Sequence, residues 1–354
     1  MGFIIAKKKS FCVIWILVFY STTLFHCSKP SPQSADVHPL TLSGSTMGTY
    51  YRVTIASPPA SLELEKLKTE ITELLVEINA QMSTYISDSE LSRFNDYKMT
   101  DWFPVSFETA MVVAEGIKIH QLTEGAFDIT VGPLVNLWGF GPPGKSEDIP
   151  TVKQISESLK KVGSNHLKSR LSPPALKKEI VDLYVDLSGI AKGFGVDSIA
   201  NLLETQGLMN YIVDIGGEMK TRGRKNANSP WRIAIESPIV DKKEIQQVIN
   251  LNDQAIATSG DYRNYFEKDG KRYSHEINPR TGYPIQHRLA SVTVLDSSCM
   301  RADALATALI VLGPEKGFQL AEKESNAALF IIKGEDGFFE KETTKFKREY
   351  YDKE

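Results

Sequence analysis

Apolar positions along this chain follow two periods, and the switches between them mark its elements. Thr49-Tyr50-Tyr51-Arg52-Val53-Thr54-Ile55 is rich in β-branched and aromatic residues and partly alternates, which predicts a strand. Leu64, Leu67, Ile71, Leu74, Leu75, Ile78 and Met82 then recur at steps of three and four, the spacing of one apolar helix face. Further helices are predicted over residues 107–122, 152–162 and 191–206, the last stopped by Gly207 as a C-cap. Val181 to Asp186 alternates and predicts a strand running into that last helix. Short strands dominate afterwards, at Tyr211–Asp214, Trp231–Glu236, Ile245–Leu251, Ala255–Thr258 and Ala290–Leu295. A helix over Ala302–Leu312 ends at Gly313-Pro314, and the apolar run Ala327–Ile332 predicts a final strand. Neighbouring strands without crossover helices favour antiparallel pairing. The expected class is therefore α+β, mainly antiparallel sheets flanked by helices.

The N-terminus changes the picture of where this domain works. Lys7, Lys8 and Lys9 precede an apolar run from Phe11 to Phe25, a basic segment followed by a hydrophobic one as in a secretion signal. The run is shorter than the roughly 20 residues that a membrane-spanning helix needs. It ends at His26-Cys27-Ser28 before a polar Pro/Ser stretch, as in a bacterial lipoprotein signal with Cys27 as the lipidated first residue of the mature chain. Phe25 and His26 are bulkier than is usual there, which keeps an uncleaved anchor or ordinary secretion open; every version exports the domain. The expected layout is a signal over 1–26, a polar tether over 27–41, one catalytic domain over 42–340 and a charged peripheral tail over 341–354.

Removal of residues 1–26, which hold three lysines and no acid, takes the formal charge from −3 to −6. An acidic domain argues against nucleic acid, for which a basic stripe is expected. Cys12 and Cys27 belong to the leader, which leaves Cys299 alone in the domain and rules out an intramolecular disulfide there. Cys299 reads as a small buried residue entering a helix rather than a nucleophile. No Cys/His group has zinc spacing.

Two segments carry most of the candidate chemistry. Asp186-Leu187-Ser188-Gly189-Ile190-Ala191-Lys192-Gly193 is a glycine-punctuated turn opening a helix. Its glycines allow close backbone approach, its amides favour an anion and Lys192 adds positive charge. A plain turn with a solvent-facing lysine fits the same pattern. Ala302-Asp303-Ala304-Leu305-Ala306-Thr307-Ala308-Leu309 places an acid and a hydroxyl at i and i+4 on one helix face. Asp303 and Thr307 can thus share one hard cation such as Mg²⁺ together with phosphate oxygens and water. Asp303 in so apolar a run is poorly hydrated unless it is paired. By contrast, Gly139-Phe140-Gly141-Pro142-Pro143-Gly144 only imitates a dinucleotide loop, since its prolines offer no N–H and no Rossmann strand precedes it.

These segments, with Met47-Gly48-Thr49, Gly125-Ala126-Phe127-Asp128, Thr258-Ser259-Gly260-Asp261 and Asn278-Pro279-Arg280-Thr281-Gly282, stand in the order of the ApbE-type FAD:protein FMN transferases. The chain resembles that family from about Gly44 to about Lys333. The resemblance implies a single flavin-cleft domain that moves FMN from FAD to a protein threonine or serine and releases AMP. It also implies a metal held by the Gly189 carbonyl, Asp303 and Thr307. FAD contacts are implied for Met47, Tyr85, Ala126, Phe127, Asp128, Asp186, Lys192 and Ile277. Where some members carry a second acid, this chain has Ala306, and where an acid usually precedes the proline it has Asn278. His275 reads either as a phosphate contact or proton shuttle, or as a structural histidine. Implied acceptors are flavinylated subunits of membrane electron-transport complexes. Two other functions stay open at this level: an FAD pyrophosphatase releasing FMN and AMP, and a non-catalytic FAD-binding lipoprotein.

Overall fold

A computed structural model describes Gly2 and residues 39–142, 144, 148–226, 229–239, 244–262 and 264–351. The signal segment, Cys27 and Pro143 of the imitation dinucleotide loop lie outside the described residues. Eight strands form the main sheet: β1 (Leu40–Thr46), β2 (Thr49–Ile55), β3 (Tyr211–Ile215), β4 (Glu218–Arg222), β5 (Ala255–Gly260), β6 (Leu289–Asp296), β7 (Ala327–Lys333) and β8 (Phe338–Glu342). They lie side by side in chain order, and every pairing is antiparallel. The α+β expectation holds.

The other elements are inserted at the connections of this meander. Between β2 and β3 come helices α1 (Leu64–Met82), α2 (Phe107–Leu122) and α3 (Ala191–Thr205), with a small sheet of Phe103–Pro104, Leu167–Leu171 and Pro174–Lys178. A hairpin, Trp231–Glu236 with Ile245–Leu251, joins β4 to β5. Helix α4 (Cys299–Lys323) joins β6 to β7, and α5 (Thr344–Tyr351) follows β8. Among the described residues, no helix is long and apolar enough to cross a membrane.

Helix α1 buries Leu67, Ile71 and Leu75, part of the stripe read from its spacing, against Val53 and Ile55 of β2 and Val196, Ile199 and Leu203 of α3. Helix α4 sets Ala302, Leu305 and Leu309 against Val292, Val294, Ala328, Phe330 and Ile332. On the opposite face, Leu329 and Ile331 meet Ile233, Ile235, Ile249 and Leu251 of the hairpin. Strand β7 is covered on both sides, so its sequence reads as one apolar run instead of alternating. Each such side chain contributes about 1.5–3 kcal/mol on burial.

Three expectations need correction. The stretch from 341, expected as a peripheral tail, completes β8 and forms α5, whose Phe346 is fully buried. Phe346 and Tyr350, one turn apart, share the inner face of α5 while Lys345, Lys347 and Arg348 supply the charge that hid the pair. Residues 181–186 form no strand, and 181–182 lie in a turn closed by the bond from Leu183 N–H to the Ile180 carbonyl. Leu183, Val185 and Leu187 are buried in alternation, yet the backbone of Val185 bonds to the side chain of Asn95 rather than to a neighbouring strand. Helix α4 starts at Cys299, capped by the Ser298 hydroxyl, and its helical path breaks at Gly313, where φ is 82°, before running on to Lys323.

Candidate active site

The segment 186–193 is fixed before it reaches the site. Asn95 brackets Val185, donating to its carbonyl at 2.9 Å and accepting from its N–H at 2.7 Å. Beneath it, the fully buried Lys178 donates to the Phe94, Asn95 and Leu183 carbonyls at 3.2, 2.9 and 3.5 Å. Burial, chiefly, lowers its ammonium to about 8. The Asp186 N–H donates to the Ile129 carbonyl at 2.7 Å, and its carboxylate accepts the Ser188 N–H and hydroxyl at 2.9 and 2.5 Å. Gly193 then joins the two key segments. Its N–H donates to Asp303 Oδ2 at 3.0 Å. A Cβ there would press on the Cys299 carbonyl and stand 2.8 Å from Met300 Cα, so only glycine lets α3 approach the start of α4 this closely.

Lys192 stands between two buried carboxylates. Its Nζ lies 2.7 Å from Glu218 Oε1 and 3.9 Å from Asp303 Oδ1. Glu218 is 4% exposed and Asp303 is 3% exposed. Burial pushes Glu218 up to about 7, with Asp303 adding repulsion and Lys192 opposing. Burial also raises Asp303, against the pull of Lys192 and the Gly193 N–H. Burial works against the charge of Lys192, but Asp303 and Glu218 more than offset it and hold the ammonium above its ordinary value. With all three ionised, the corner carries one excess negative charge. Glu218 Oε2 is buried with no hydrogen-bond partner, which leaves an acceptor for a ligand's donor or a cation to satisfy.

Hard oxygen donors gather in the same corner. Thr307, one turn beyond Asp303, approaches Ser259 with their hydroxyl oxygens 3.3 Å apart. The Gly189 backbone lies beside it, so that a Cβ on Gly189 would sit 3.4 Å from Thr307 Oγ1. Asp303, Thr307, the Gly189 backbone and Ser259 thus line one corner of the site. Carboxylate, hydroxyl and carbonyl oxygens fit Mg²⁺ better than a softer metal. Among the described residues, no group of three His, Cys, Asp or Glu side chains is placed to hold a metal, so phosphate oxygens and water would complete any shell. Ala306 faces the core, and the second carboxylate of the corner comes from the sheet, as Glu218. Sequence reasoning missed Glu218. Its signal was the acid directly after Gly216-Gly217, a two-glycine turn with φ of 63° and 112° that aims β4 into the site.

A cleft of about 640 Å³ opens from this corner. Tyr85, Ala126, Phe127, Asp186, His275 and Ile277 line it with Lys192, Gly189, Asp303 and Thr307. His275 Nδ1 donates to the Asn264 carbonyl at 3.0 Å, and Nε2 lies 3.6 Å from Glu276. Two expected contacts read differently. Asp128 lines the cleft, but its carboxylate is engaged by Thr130 and Ser164 at 2.6–3.1 Å and by His120 Nδ1 at 3.1 Å. It holds the turn rather than offering free acceptors to a sugar. Met47, at φ 49° in the β1–β2 turn, packs over Gly195 of α3 and is not among the cleft-lining residues. Asn278 Oδ1 accepts the Arg280 N–H at 3.0 Å, a bond that either an amide or an acid can make. Cys299 is buried and its thiol is pushed well up by burial, in keeping with a packing role.

A meandering antiparallel sheet whose inserted helices close on a lysine, two buried carboxylates and a hydroxyl pair defines an α+β protein with one polar-cornered cleft. The ApbE family model matches residues 47–331, and the chain belongs to the ApbE family. It is 50% identical over 334 residues to the FAD:protein FMN transferase of Vibrio cholerae serotype O1, covering 94% of this chain and 98% of that one. It is 43% identical over 313 residues to the FAD:protein FMN transferase of Escherichia coli K12, covering 88% and 89%. Among solved structures it matches the flavin transferase ApbE from Vibrio cholerae with a TM-score of 0.81 at 50% identity, over 87% of this chain and 98% of that one. The ApbE protein from Thermotoga maritima matches with a TM-score of 0.77 at 29% identity, over 87% and 98%.

Proposed function

We propose that this chain cleaves the pyrophosphate of FAD and transfers FMN to a threonine or serine hydroxyl of another protein, releasing AMP. The observation that carries this reading is a family match spanning the whole cleft, whose inner corner holds Lys192, Asp303, Thr307 and the open Glu218 oxygen. In the transfer, the acceptor oxygen bonds to the FMN phosphorus, the bond from that phosphorus to the bridging oxygen breaks, and AMP leaves with that oxygen. Lys192, held by Glu218, is placed to balance charge on the departing phosphate. His275, oriented by the bond from Nδ1 to the Asn264 carbonyl, would take the hydroxyl proton at Nε2. Asp303, Thr307 and the Gly189 carbonyl would hold Mg²⁺, whose contribution is Lewis-acid neutralisation of phosphate charge. Much of phosphoryl-transfer catalysis is alignment, and the bonds of Asn95, Lys178 and Gly193 supply the rigidity for it.

The basic and apolar leader and Cys27 support an exported, lipid-anchored enzyme facing the periplasm, with flavinylated subunits of membrane electron-transport complexes as acceptors. Incubation with FAD and Mg²⁺, with and without an acceptor protein, tests the reaction by product. Protein-bound FMN is expected; free FMN with AMP in both arms would make the chain a pyrophosphatase, and intact FAD would make it a binding protein. Cys27→Ala is expected to yield an active domain that no longer partitions with membranes. An unacylated N-terminus in the native mature protein, seen by mass spectrometry, would remove the anchor.

A further inference from the structure

We propose that the outer edge of the strand Trp231–Glu236, at Ala234, is where the acceptor protein docks, adding an extended segment as a third strand that carries its hydroxyl into the cleft. This rests on the transfer reading above. The strand pairs with Ile245–Leu251 in a two-stranded ribbon, and among the described residues its other edge pairs with no strand. Ile233, Ala234, Ile235 and Glu236, four consecutive residues, all line the cleft. Successive side chains of a strand point to opposite faces, so four neighbours at one surface present a backbone edge there rather than a face. Ile233 and Ile235 are buried in the core beneath the ribbon, while Ala234 is exposed and its small side chain leaves the backbone accessible.

The ladder supplies the direction of the unpaired groups. Ala234 stands opposite Val248, whose carbonyl accepts the Tyr350 hydroxyl at 2.6 Å. A carbonyl turned away from the opposite strand belongs to a pair that exchanges no hydrogen bonds, and its partner residue then also points its N–H and C=O outward. Ala234 therefore offers a donor and an acceptor at the cleft edge. The same cleft contains Lys192, Asp303 and Thr307, so a hydroxyl on an added strand enters the space where FAD phosphates would lie. Unpaired edges invite strand addition and are usually blunted or covered. Recognition of this kind reads an extended main chain, with side-chain pockets as a secondary filter.

The test uses short peptides of random sequence, each with one central threonine, incubated with the full chain, FAD and Mg²⁺ and read by covalently bound flavin fluorescence. Ala234→Pro removes the outward N–H and sets a ring on the edge while sparing the ladder to Ile245–Leu251. It is expected to lower peptide labelling by about tenfold or more, with thermal unfolding and FAD affinity by calorimetry unchanged. Peptides that the wild type labels, resynthesised with single backbone N-methyl groups, should lose labelling at alternate positions; this arm tests the edge even if the proline variant folds poorly. Equal labelling by a folded Ala234→Pro variant, indifference to every N-methyl group, or loss of FAD affinity in that variant would each overturn the edge. A wild type that labels no peptide and no protein would overturn the transfer reading itself.

Discussion

Asp303→Asn separates what the buried corner does for the fold from what it does for chemistry. Asparagine keeps an oxygen for the Gly193 N–H, the 3.0 Å bond that ties α3 to α4. What disappears is one negative charge, 3.9 Å from Lys192 Nζ. At an effective dielectric of about 20, that attraction is worth about 4 kcal/mol. Against it stand the desolvation of a buried carboxylate, several kcal/mol in its own right, and repulsion from Glu218. Burial holds the Asp303 carboxyl above its ordinary value despite Lys192 and the Gly193 N–H, so desolvation outweighs the attraction when no cation is present. In EDTA the variant is therefore expected to melt no lower than wild type, and up to about 2–4 °C higher. In Mg²⁺ the order should reverse, because a ligand that binds only the native state raises stability by mass action and the variant has lost the one carboxylate in the proposed metal shell. FMN transfer in dilute Mg²⁺ should fall by about 100-fold or more, while Thr307→Val should do less harm. Paired melts with and without Mg²⁺, run beside a transfer assay, read both effects. Near-wild-type transfer by Asp303→Asn in dilute Mg²⁺, or an equal Mg²⁺-dependent rise in its Tm, would refute this account of the corner.

Gly193→Ala should cost about 1–3 kcal/mol, as overpacking does, and should weaken FAD binding as α3 is pushed away from Cys299 and Met300; an unchanged melt would refute the close-approach argument. The bond between His120 and Asp128 should give stability a limited pH window. The hydrogen bond that His120 donates to Asp128 raises His120 above 6.5 despite burial, so its contribution is complete below 6.5 and lost as pH rises through the raised value. Burial opposes ionisation of Asp128, but bonds from His120, Ser164 and Thr130 more than offset it, so its contribution is present above 3.8 and lost as pH falls through the lowered value. Melts of wild type and His120→Asn across this range should converge on the alkaline side; parallel curves would exclude the linkage. Calorimetry should show FAD binding well above FMN, since the proposed transfer needs both halves of the dinucleotide held in the cleft that Tyr85 and Lys192 line; equal affinities would contradict that reading.

What the sequence made legible, and what it hid, follows from how each residue earns its position. Helices α1 and α2 could be read because a single face of each is buried, and the strand at Ala327 because both of its faces are. The link between Asp303 and Thr307 was legible because it is local, one helical turn. Glu218 was not, because its meaning depends on Lys192, 26 positions earlier in the chain, and no local period encodes a pair closed by tertiary packing. Asn95 and Lys178 were hidden for the same reason: a polar residue near the end of a short helix or at a strand end looks solvated until the segment it satisfies is known. Asp128 shows the converse. Its motif is recognisable and its carboxylate lies at the cleft, yet His120, Thr130 and Ser164 occupy its oxygens, so it shapes the binding surface without offering free acceptors to a ligand. Residues from most of the ordered motifs line one cleft, but tertiary packing decides which of their oxygens are already engaged. In the corner, Glu218 Oε2 is left without a partner, whereas Asp303 accepts the Gly193 N–H and the Asp128 oxygens are taken by His120, Thr130 and Ser164.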